Sequence, residues 1–382
     1  MAALIKKMAK GLYRNLPGPI RAQIVEGFVR RKLRRIKLLQ SPTALIFFIT
    51  ARCNNRCAHC FYWQDLNASC DELSLEEIGT VASTLRHPVH LSLTGGEPFL
   101  RNDVGEIARL FVERNRCRNL ALATNGYLTE RIVATCREIL HLPLDTLSVQ
   151  VSLDGLEETH NEIRGVRDGY RRAVETIQAL QQLSREEPRF SVAVSITIQK
   201  RNLDEVLPLT ERLVELGVPI RYALVRGQHF GTYGLPPEAA NDIDPLEGEA
   251  AVVDLNRLEG LFGEIGARNA AAPYRFWSER QQEKIRISLA MMARKERQLP
   301  CYAGKVDGVI YANGDVALCE LTKPVGNLRE HGLDVARLWS SEPAQAMRAR
   351  IRNCFCIHGC NLTTSMTFDP KVVQGVLDEH AR

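Results

Sequence analysis

Between residues 43 and 225, short apolar runs alternate with longer segments whose apolar positions recur every three or four residues. The runs Ala44–Thr50, Val89–Leu93, Leu120–Ala123, Leu147–Leu153, Ser191–Ile198 and Ile220–Val225 have the length and content of buried strands. The segments Leu75–Leu85, Val104–Asn115, Glu130–Leu140, Tyr170–Leu183 and Leu203–Leu216 have the period of amphipathic helices. Ser74 and Glu77 supply a capping box for the first of them. Strict alternation of strand and helix implies a parallel sheet with right-handed crossovers. Six strands without a dinucleotide glycine fingerprint suit an open, partial (β/α)6 TIM-like barrel. Reactive residues of such a barrel gather at the C-terminal ends of its strands.

The flanks have other patterns. Residues 4–15 and 20–39 read as two helices broken at Pro17-Gly18-Pro19. In the second, Ile20, Ile24 and Phe28 recur at four-residue spacing, as do Val25, Val29 and Leu33, and they build an apolar stripe. After Val225 the chain is loop-like to about residue 250. Leu258, Leu261, Phe262 and Ile265 then mark a helix, and another is predicted over 279–297. From Cys301 onward short strands and turns are expected, with an Asn313-Gly314 hairpin signal. The chain thus divides into a helical arm (1–40), a barrel (41–226), a helical linker (227–299), a small cysteine-rich α+β domain (300–362) and a tail (363–382).

Charge sharpens the picture of the arm. Its first 40 residues hold eleven Lys and Arg against the single acid Glu26, in a chain of net charge +5, so the remainder is acidic. A basic amphipathic helix of this kind either packs on the barrel or lies on an anionic membrane surface. No nucleic-acid motif accompanies it, so a nucleic-acid partner is not expected. No run approaches the roughly 20 apolar residues of a membrane span. The N-terminus lacks a secretory pattern, which places the expected location in the cytoplasm, with peripheral membrane contact as the alternative.

Eleven cysteines are many for such a chain, and their clustering points to metal rather than disulfides. Cys70, Cys117 and Cys136 are scattered and read as small packing residues. Cys53-x-x-x-Cys57-x-x-Cys60 follows the first strand directly. Three thiolates on one short loop hold three irons of a [4Fe–4S] cluster and leave the fourth open for chemistry. Zinc would need a fourth ligand such as His59, whose place beside Cys60 makes that awkward.

The spacing, its place after strand one, and a series of motifs at later strand ends resemble the radical S-adenosylmethionine (SAM) superfamily over residues 43–225. In order these are Thr94-Gly95-Gly96-Glu97-Pro98, Thr124-Asn125-Gly126, Ser152-Leu153-Asp154-Gly155 and Ile163-Arg164-Gly165. The resemblance implies a SAM molecule chelated to the open iron and cleaved reductively to a 5′-deoxyadenosyl radical, which abstracts hydrogen from substrate. It implies that His59, where the family usually has an aromatic, lies near the adenine. Gly95, Gly96 and Glu97 would meet the methionine moiety, Glu97 through the ammonium. Asn125, Ser152, Asp154 and Arg164 would line the carboxylate and ribose. Thr197 and Asn202 are weaker candidates.

Cys301-x17-Cys319, with Gly314 five residues before Cys319, and Cys354-x-Cys356-x-x-x-Cys360 resemble the C-terminal SPASM or twitch domains of some members. Five cysteines are too few for two fully ligated cubanes, so one auxiliary [4Fe–4S] cluster is expected. Cys301, Cys319, Cys356 and Cys360 are the favoured ligands, with Cys354 as competitor and His358 nearby; a structural zinc site is the alternative. Four thiolates suit an electron conduit and a net oxidation. The resemblance implies a peptide or small-molecule substrate and a donor such as flavodoxin or ferredoxin. Two other readings stay open: a membrane-associated enzyme acting on a lipid or lipid-linked sugar, and a SAM-binding redox sensor without turnover. Arg226, His229 and Tyr233, after the last barrel strand, are possible substrate contacts.

Overall fold

The computed structural model describes residues 16–227, 229–241, 244 and 248–379. The helix expected over 4–15 lies outside the described residues. The elements run α1 (Gly18–Ile36), β1 (Ala44–Thr50), α2 (Leu75–Thr84), β2 (His90–Gly95), α3 (Val104–Asn115), β3 (Asn119–Thr124), α4 (Thr129–Leu140), β4 (Thr146–Ser152), α5 (Glu157–Arg164), α6 (Gly169–Glu186), β5 (Phe190–Ile198), α7 (Val206–Glu215) and β6 (Ile220–Leu224). They continue with β7 (Thr232–Tyr233), α8 (Leu255–Ala271), α9 (Glu279–Arg294), β8 (Asp307–Ile310), β9 (Asp315–Ala317), β10 (Gly326–Asn327), α10 (Val335–Trp339), α11 (Glu342–Arg350), β11 (Phe355–Cys356), α12 (Gly359–Met366) and α13 (Pro370–Glu379).

Strands β1 to β6 pair in sequence order, all parallel, as the alternating pattern requires. Their apolar alternates, among them Leu91 and Leu93, Val149 and Val151, and Val194 and Ile196, are buried in one core against the helices. The opposite alternates are small or polar. Ser92, Ser148, Gln150, Ser195 and Thr197 are half-buried on the face that the helices do not cover. That alternation produces a barrel with an open, polar lumen rather than a second packed face. The expected capping box is formed: Glu77 N donates to Ser74 Oγ (3.2 Å), and Ser74 N donates to Glu77 Oε2 (2.8 Å).

Three features depart from the expected organisation. First, the C-terminal region is not a separate layer. β8 pairs parallel with β1, Ala44 opposite Asp307, and β9 and β10 extend one nine-stranded sheet. Second, residues beyond 330 form helices rather than turns alone. Asp334 and Ser341 cap α10 and α11 by accepting from Arg337 N and Ala344 N. Third, the tail folds: α13 packs on α1, where Arg21 pairs with Asp378 at 2.6 Å. Lys32 lies 3.9 Å over the Phe368 ring at the same seam. The arm's apolar stripe is thereby split. Val25 and Val29 are buried, whereas Ile20 (43% exposed) and Ile24 (50%) face outward.

Candidate active site

The loop after β1 carries Cys53, Cys57 and Cys60. Hydrogen bonds to its backbone hold it in place. Asn67 clamps its entrance, accepting from Cys53 N and donating to Cys53 O, both at 3.0 Å. The C-terminal turn of α5 closes over it: Arg56 N donates to Arg164 O (3.0 Å) and Ala58 N to Ile163 O (2.8 Å). Gly165, with φ +60°, is required at that contact, since a Cβ there would lie 2.7 Å from Arg56 O. The three thiols lie within one another's electrostatic reach. Burial pushes Cys53 up to about 11 and Cys60 up to about 12, and the Cys57 charge adds to both. Burial also raises Cys57, against the lowering pull of Arg164, whose Nη1 lies 3.7 Å from its Sγ. Buried thiols of this kind ionise when a bound cation supplies the compensating charge.

The end of β2 runs against this loop. A Cβ on Gly95 (φ +126°) would lie 2.2 Å from Thr50 O, and one on Gly96 would lie 2.1 Å from Arg52 O. Glu97 follows, almost wholly buried. It accepts from Asn125 N (2.7 Å), Thr124 Oγ1 (2.8 Å) and Phe99 N (3.3 Å). Burial still wins, and its carboxyl is pushed up to about 7. Asn125 Nδ2 donates to Asn54 Oδ1 (2.7 Å), tying the end of β3 to the cysteine loop.

On the other side, Asp154 is fully buried and Arg164 nearly so, and they form an ion pair of 2.5 Å. Asp154 Oδ1 accepts from Thr197 N at 2.8 Å. Burial raises the Asp154 carboxyl, but Arg164, His59, His160 and the Thr197 N–H together outweigh it, and the net direction is down. His59 Nε2 lies 3.7 Å from Asp154 Oδ2, and burial lowers His59 to about 4. Ser152 ends β4, half-buried on the lumen face. Two residues that the sequence did not single out complete the frame. His160 Nδ1 accepts from Asp154 N (3.0 Å), and Gln199 Nε2 lies 3.4 Å from His59 Nδ1. No local spacing marks either one. Asn202, a weaker candidate, donates to the Asp154 carbonyl at 2.5 Å and so positions the aspartate.

The second constellation gathers differently from the favoured set. Cys301, Cys319, Cys354 and Cys356 lie within mutual electrostatic reach. Antiparallel pairing of β11 with β7, Cys356 opposite Thr232, delivers Cys354 and Cys356 to this group. Asn361 Nδ2 donates to Cys319 Sγ at 2.9 Å. Cys360 stands apart, beside Glu320, Arg226 and Lys284. His358 Nε2 lies 2.6 Å from Glu320 Oε2, and both residues are buried. Among the described residues, the group whose possible ligand atoms all lie within 4.8 Å of one another is Glu320, His358 and Cys360. Neither cysteine set is that compact, which fits a cubane better than a zinc ion with thiolates at ~2.3 Å. Phe61, next to Cys60, packs on the auxiliary group, and Arg226 lies 4.5 Å over its ring. Of the other residues after β6, His229 pairs with Asp244, and Tyr233 stacks on Phe355 at 5.0 Å.

A partial parallel barrel with three thiols at the exit of its first strand, and buried polar groups at the exits of the next three, defines a SAM-dependent iron–sulfur enzyme. The comparisons with known proteins agree. Residues 47–213 match the model of the radical SAM superfamily, and residues 301–361 match that of an iron–sulfur cluster-binding domain, SPASM. An AdoMet-dependent heme synthase of Methanosarcina barkeri is 30% identical over 311 residues, 77% of this chain and 82% of the relative. The sporulation killing factor maturation protein SkfB of Bacillus subtilis is 25% identical over 344 residues, 88% and 74% of the two chains. SuiB of Streptococcus suis, solved with S-adenosylmethionine, shares the fold with a TM-score of 0.57 at 16% identity, over 90% of this chain and 76% of that one. The chain belongs to the radical SAM superfamily and carries a C-terminal SPASM domain. It is an enzyme whose cofactors are SAM, a catalytic [4Fe–4S] cluster and an auxiliary cluster. Among the described residues, no helix is long and apolar enough to cross a membrane.

Proposed function

We propose that Cys53, Cys57 and Cys60 hold the catalytic cluster, and that SAM lies between Glu97 and the Asp154–Arg164 pair. When bound, SAM supplies the 5′-deoxyadenosyl radical that takes hydrogen from a peptide or small-molecule substrate. The observation that carries this assignment is Arg164. One guanidinium contacts both a thiol of the loop (3.7 Å) and a carboxylate of the pocket (2.5 Å), so the two halves of the site are one unit. Glu97 accepts the cofactor's ammonium; Asp154, held by Arg164, Thr197 and Asn202, orients its ribose with Ser152 and Asn125. Gly95 and Gly96 admit the backbone close to the cofactor, and His59 faces the adenine. The auxiliary cluster sits on Cys301, Cys319, Cys354 and Cys356 and takes the electron of a net oxidation, with a flavodoxin or ferredoxin as donor to the first cluster. Residues 41–226 and 300–362 are the two working parts, joined through β1 and β8.

The peptide reading is supported by SkfB, named as the maturation protein of a sporulation killing factor, and by a solved neighbour, anSMEcpe, bound to a Cp18Cys peptide at TM-score 0.56 and 16% identity, over 80% of this chain and 82% of that one. The test is anaerobic reconstitution, reduction and mass-spectrometric measurement of 5′-deoxyadenosine. Wild type is expected to form it and Cys57→Ala is expected not to. Equal product from both would refute the assignment. Iron counts decide the auxiliary ligands: Cys354→Ala loses about four irons and Cys360→Ala keeps them, and the reverse result assigns Cys360. A second reading, peripheral membrane contact, rests on the outward Ile20 and Ile24 near the start of α1 and on the basic residues, Arg34 and Arg35 among them, in its last turn. Flotation with anionic vesicles tests it, and the double variant Ile20→Glu/Ile24→Glu is expected to stay at the bottom of the gradient.

A further inference from the structure

The lumen of the barrel contains a concentration of positive charge that the proposed SAM site does not use. In β6, Ile220 and Tyr222 point into the core, Tyr222 against Phe262 and Trp277. Arg221, between them, therefore points the other way, into the lumen. Its register places it opposite Ser195, which lies opposite Ser152 at the exit of β4. Arg221 is thus two strands from the SAM pocket in the same row. At the usual spacing of paired strands, that is about 10 Å.

Helix α9 packs across β6 and adds two more cations, Arg280 and Lys284. The three lie within electrostatic reach of one another. Burial lowers all three, Lys284 to about 8; on Lys284 the neighbouring Cys360 thiol opposes the shift, while Arg221, Arg280 and Arg226 add to it. Among the described residues, no carboxylate forms an ion pair with any of them. Arg280 Nη2 donates to the carbonyl of Thr363 (3.2 Å). Arg226, by contrast, has its carboxylate, Glu320 at 3.5 Å. Lys284 also faces a helix start. A Cβ on Gly359, the first residue of α12, would lie 3.7 Å from its Nζ, and the N-cap residue His358 offers no side-chain cap. The free N–H groups of that turn add to the positive field. Clustered, partly buried cations without anions cost the fold free energy that an anionic ligand would offset. All three remain half-buried rather than sealed.

We propose that the substrate carries at least two carboxylates, which dock on Arg221, Arg280 and Lys284 and hold its reacting carbon toward the SAM pocket. This rests on the proposed SAM site for its geometry and goes beyond it in naming the substrate's chemistry. The same anchor serves the carboxylates of an acidic peptide or of a tetrapyrrole. Relatives with names of both kinds exist: SkfB matures a sporulation killing factor, and the AdoMet-dependent heme synthase makes heme.

The test measures equilibrium binding to the full-length reconstituted protein in the presence of SAM. The probes are coproporphyrin III, followed by fluorescence, and a glutamate-rich decapeptide carrying a fluorophore. Each is paired with its neutral counterpart, the tetramethyl ester or the glutamine peptide. One acid is expected to bind and its neutral counterpart not to, and which acid binds identifies the source. Arg221→Gln and Lys284→Gln are each expected to weaken that acid ~10–100-fold, the worth of a charge-assisted hydrogen bond. Both variants are also expected to melt at or above the wild-type temperature, because each removes an unpaired buried cation; a purely structural role would lower it. Equal binding of acid and neutral forms, or unchanged affinity in both variants, would overturn the proposal. Failure of wild type to make 5′-deoxyadenosine would sink the SAM assignment instead, and leaves this binding result readable.

Discussion

Removing either member of the Asp154–Arg164 pair is expected to destabilise the apo-protein far more than removing both. Asp154 is fully buried and Arg164 is 8% exposed, so neither charge finds water when its partner goes. Asp154→Asn keeps an acceptor for Thr197 N, now at 2.8 Å, and so isolates the electrostatic loss from the loss of a hydrogen bond. What is left is a buried guanidinium whose other contact is the Cys57 sulfur at 3.7 Å. Stranding one charge of a buried pair costs ~3–5 kcal/mol. For a large domain this corresponds to a fall in melting temperature on the order of 10 °C. Arg164→Met strands the aspartate and is expected to cost a similar amount. The double variant Asp154→Asn/Arg164→Met leaves no uncompensated charge, so its cost should be well under the sum. Chemical denaturation of the four apo-proteins, followed by circular dichroism, yields the coupling energy directly. Strictly additive costs, or singles within about 1 kcal/mol of wild type, would refute the reasoning. The pH dependence has a fixed sign. Arg164 holds the Asp154 carboxyl below its ordinary value of 3.8, so the contribution is complete above that pH and is lost only as pH falls through the depressed value.

Three further outcomes follow from the same geometry. Glu97, raised to about 7 by burial, must ionise to accept an ammonium; SAM binding is therefore expected to release a proton and to weaken up to tenfold per unit below about pH 7, and calorimetry in buffers of different ionisation enthalpy shows this, with Glu97→Gln flat. In the apo-protein the same shift works oppositely: its stabilising share is present below pH 4.5 and lost as pH rises through 7. Gly96→Ala places a methyl 2.1 Å from Arg52 O, so the cysteine loop must move and the iron bound on reconstitution should fall; full iron content would contradict the close approach. Asn361→Leu removes the donor at 2.9 Å from Cys319 Sγ, a bond that favours the more negative reduced cluster, so the auxiliary potential should drop in an EPR-monitored titration, by at most roughly 60 mV, the equivalent of ~1.5 kcal/mol for one electron.

Much of this site was legible because its residues stand at strand ends. Strict alternation of strand and helix makes the strands parallel, so Cys53 to Cys60, Glu97, Asn125 and Asp154, each just past the end of a strand, fall together at one end of the barrel. Arg164 was picked out without its helix: α5 reads Glu-Glu-Thr-His-Asn-Glu-Ile-Arg, too short and polar to show a period, and Ile163, His160 and Arg164 itself supply its buried side. The division of the five C-terminal cysteines was hidden for another reason. Cys354 and Cys356 reach Cys301 and Cys319 through a two-residue ladder to Thr232 and Tyr233, and so short a pairing leaves no pattern in the chain. The unpaired cations were equally invisible: Arg221 reads as one polar residue in a strand, and only the absence of an acid opposite gives it meaning.

The parallel pairing of β8 with β1 has a consequence for how the chain is made. β1, with Phe47 and Phe48 among its residues, leaves the ribosome well before the hydrogen-bonding partner on one of its edges, which lies at Asp307–Ile310 further along the chain. Until residues 307–310 emerge, that edge of the nascent barrel presents unpaired amides and carbonyls to anything nearby. Completion of the sheet and arrival of the auxiliary cysteines are thus one late event of synthesis. A truncated chain lacking residues 301–382 would lose more than a second cluster: it would leave the ribosome with an open, aggregation-prone edge beside the loop that is to receive the first.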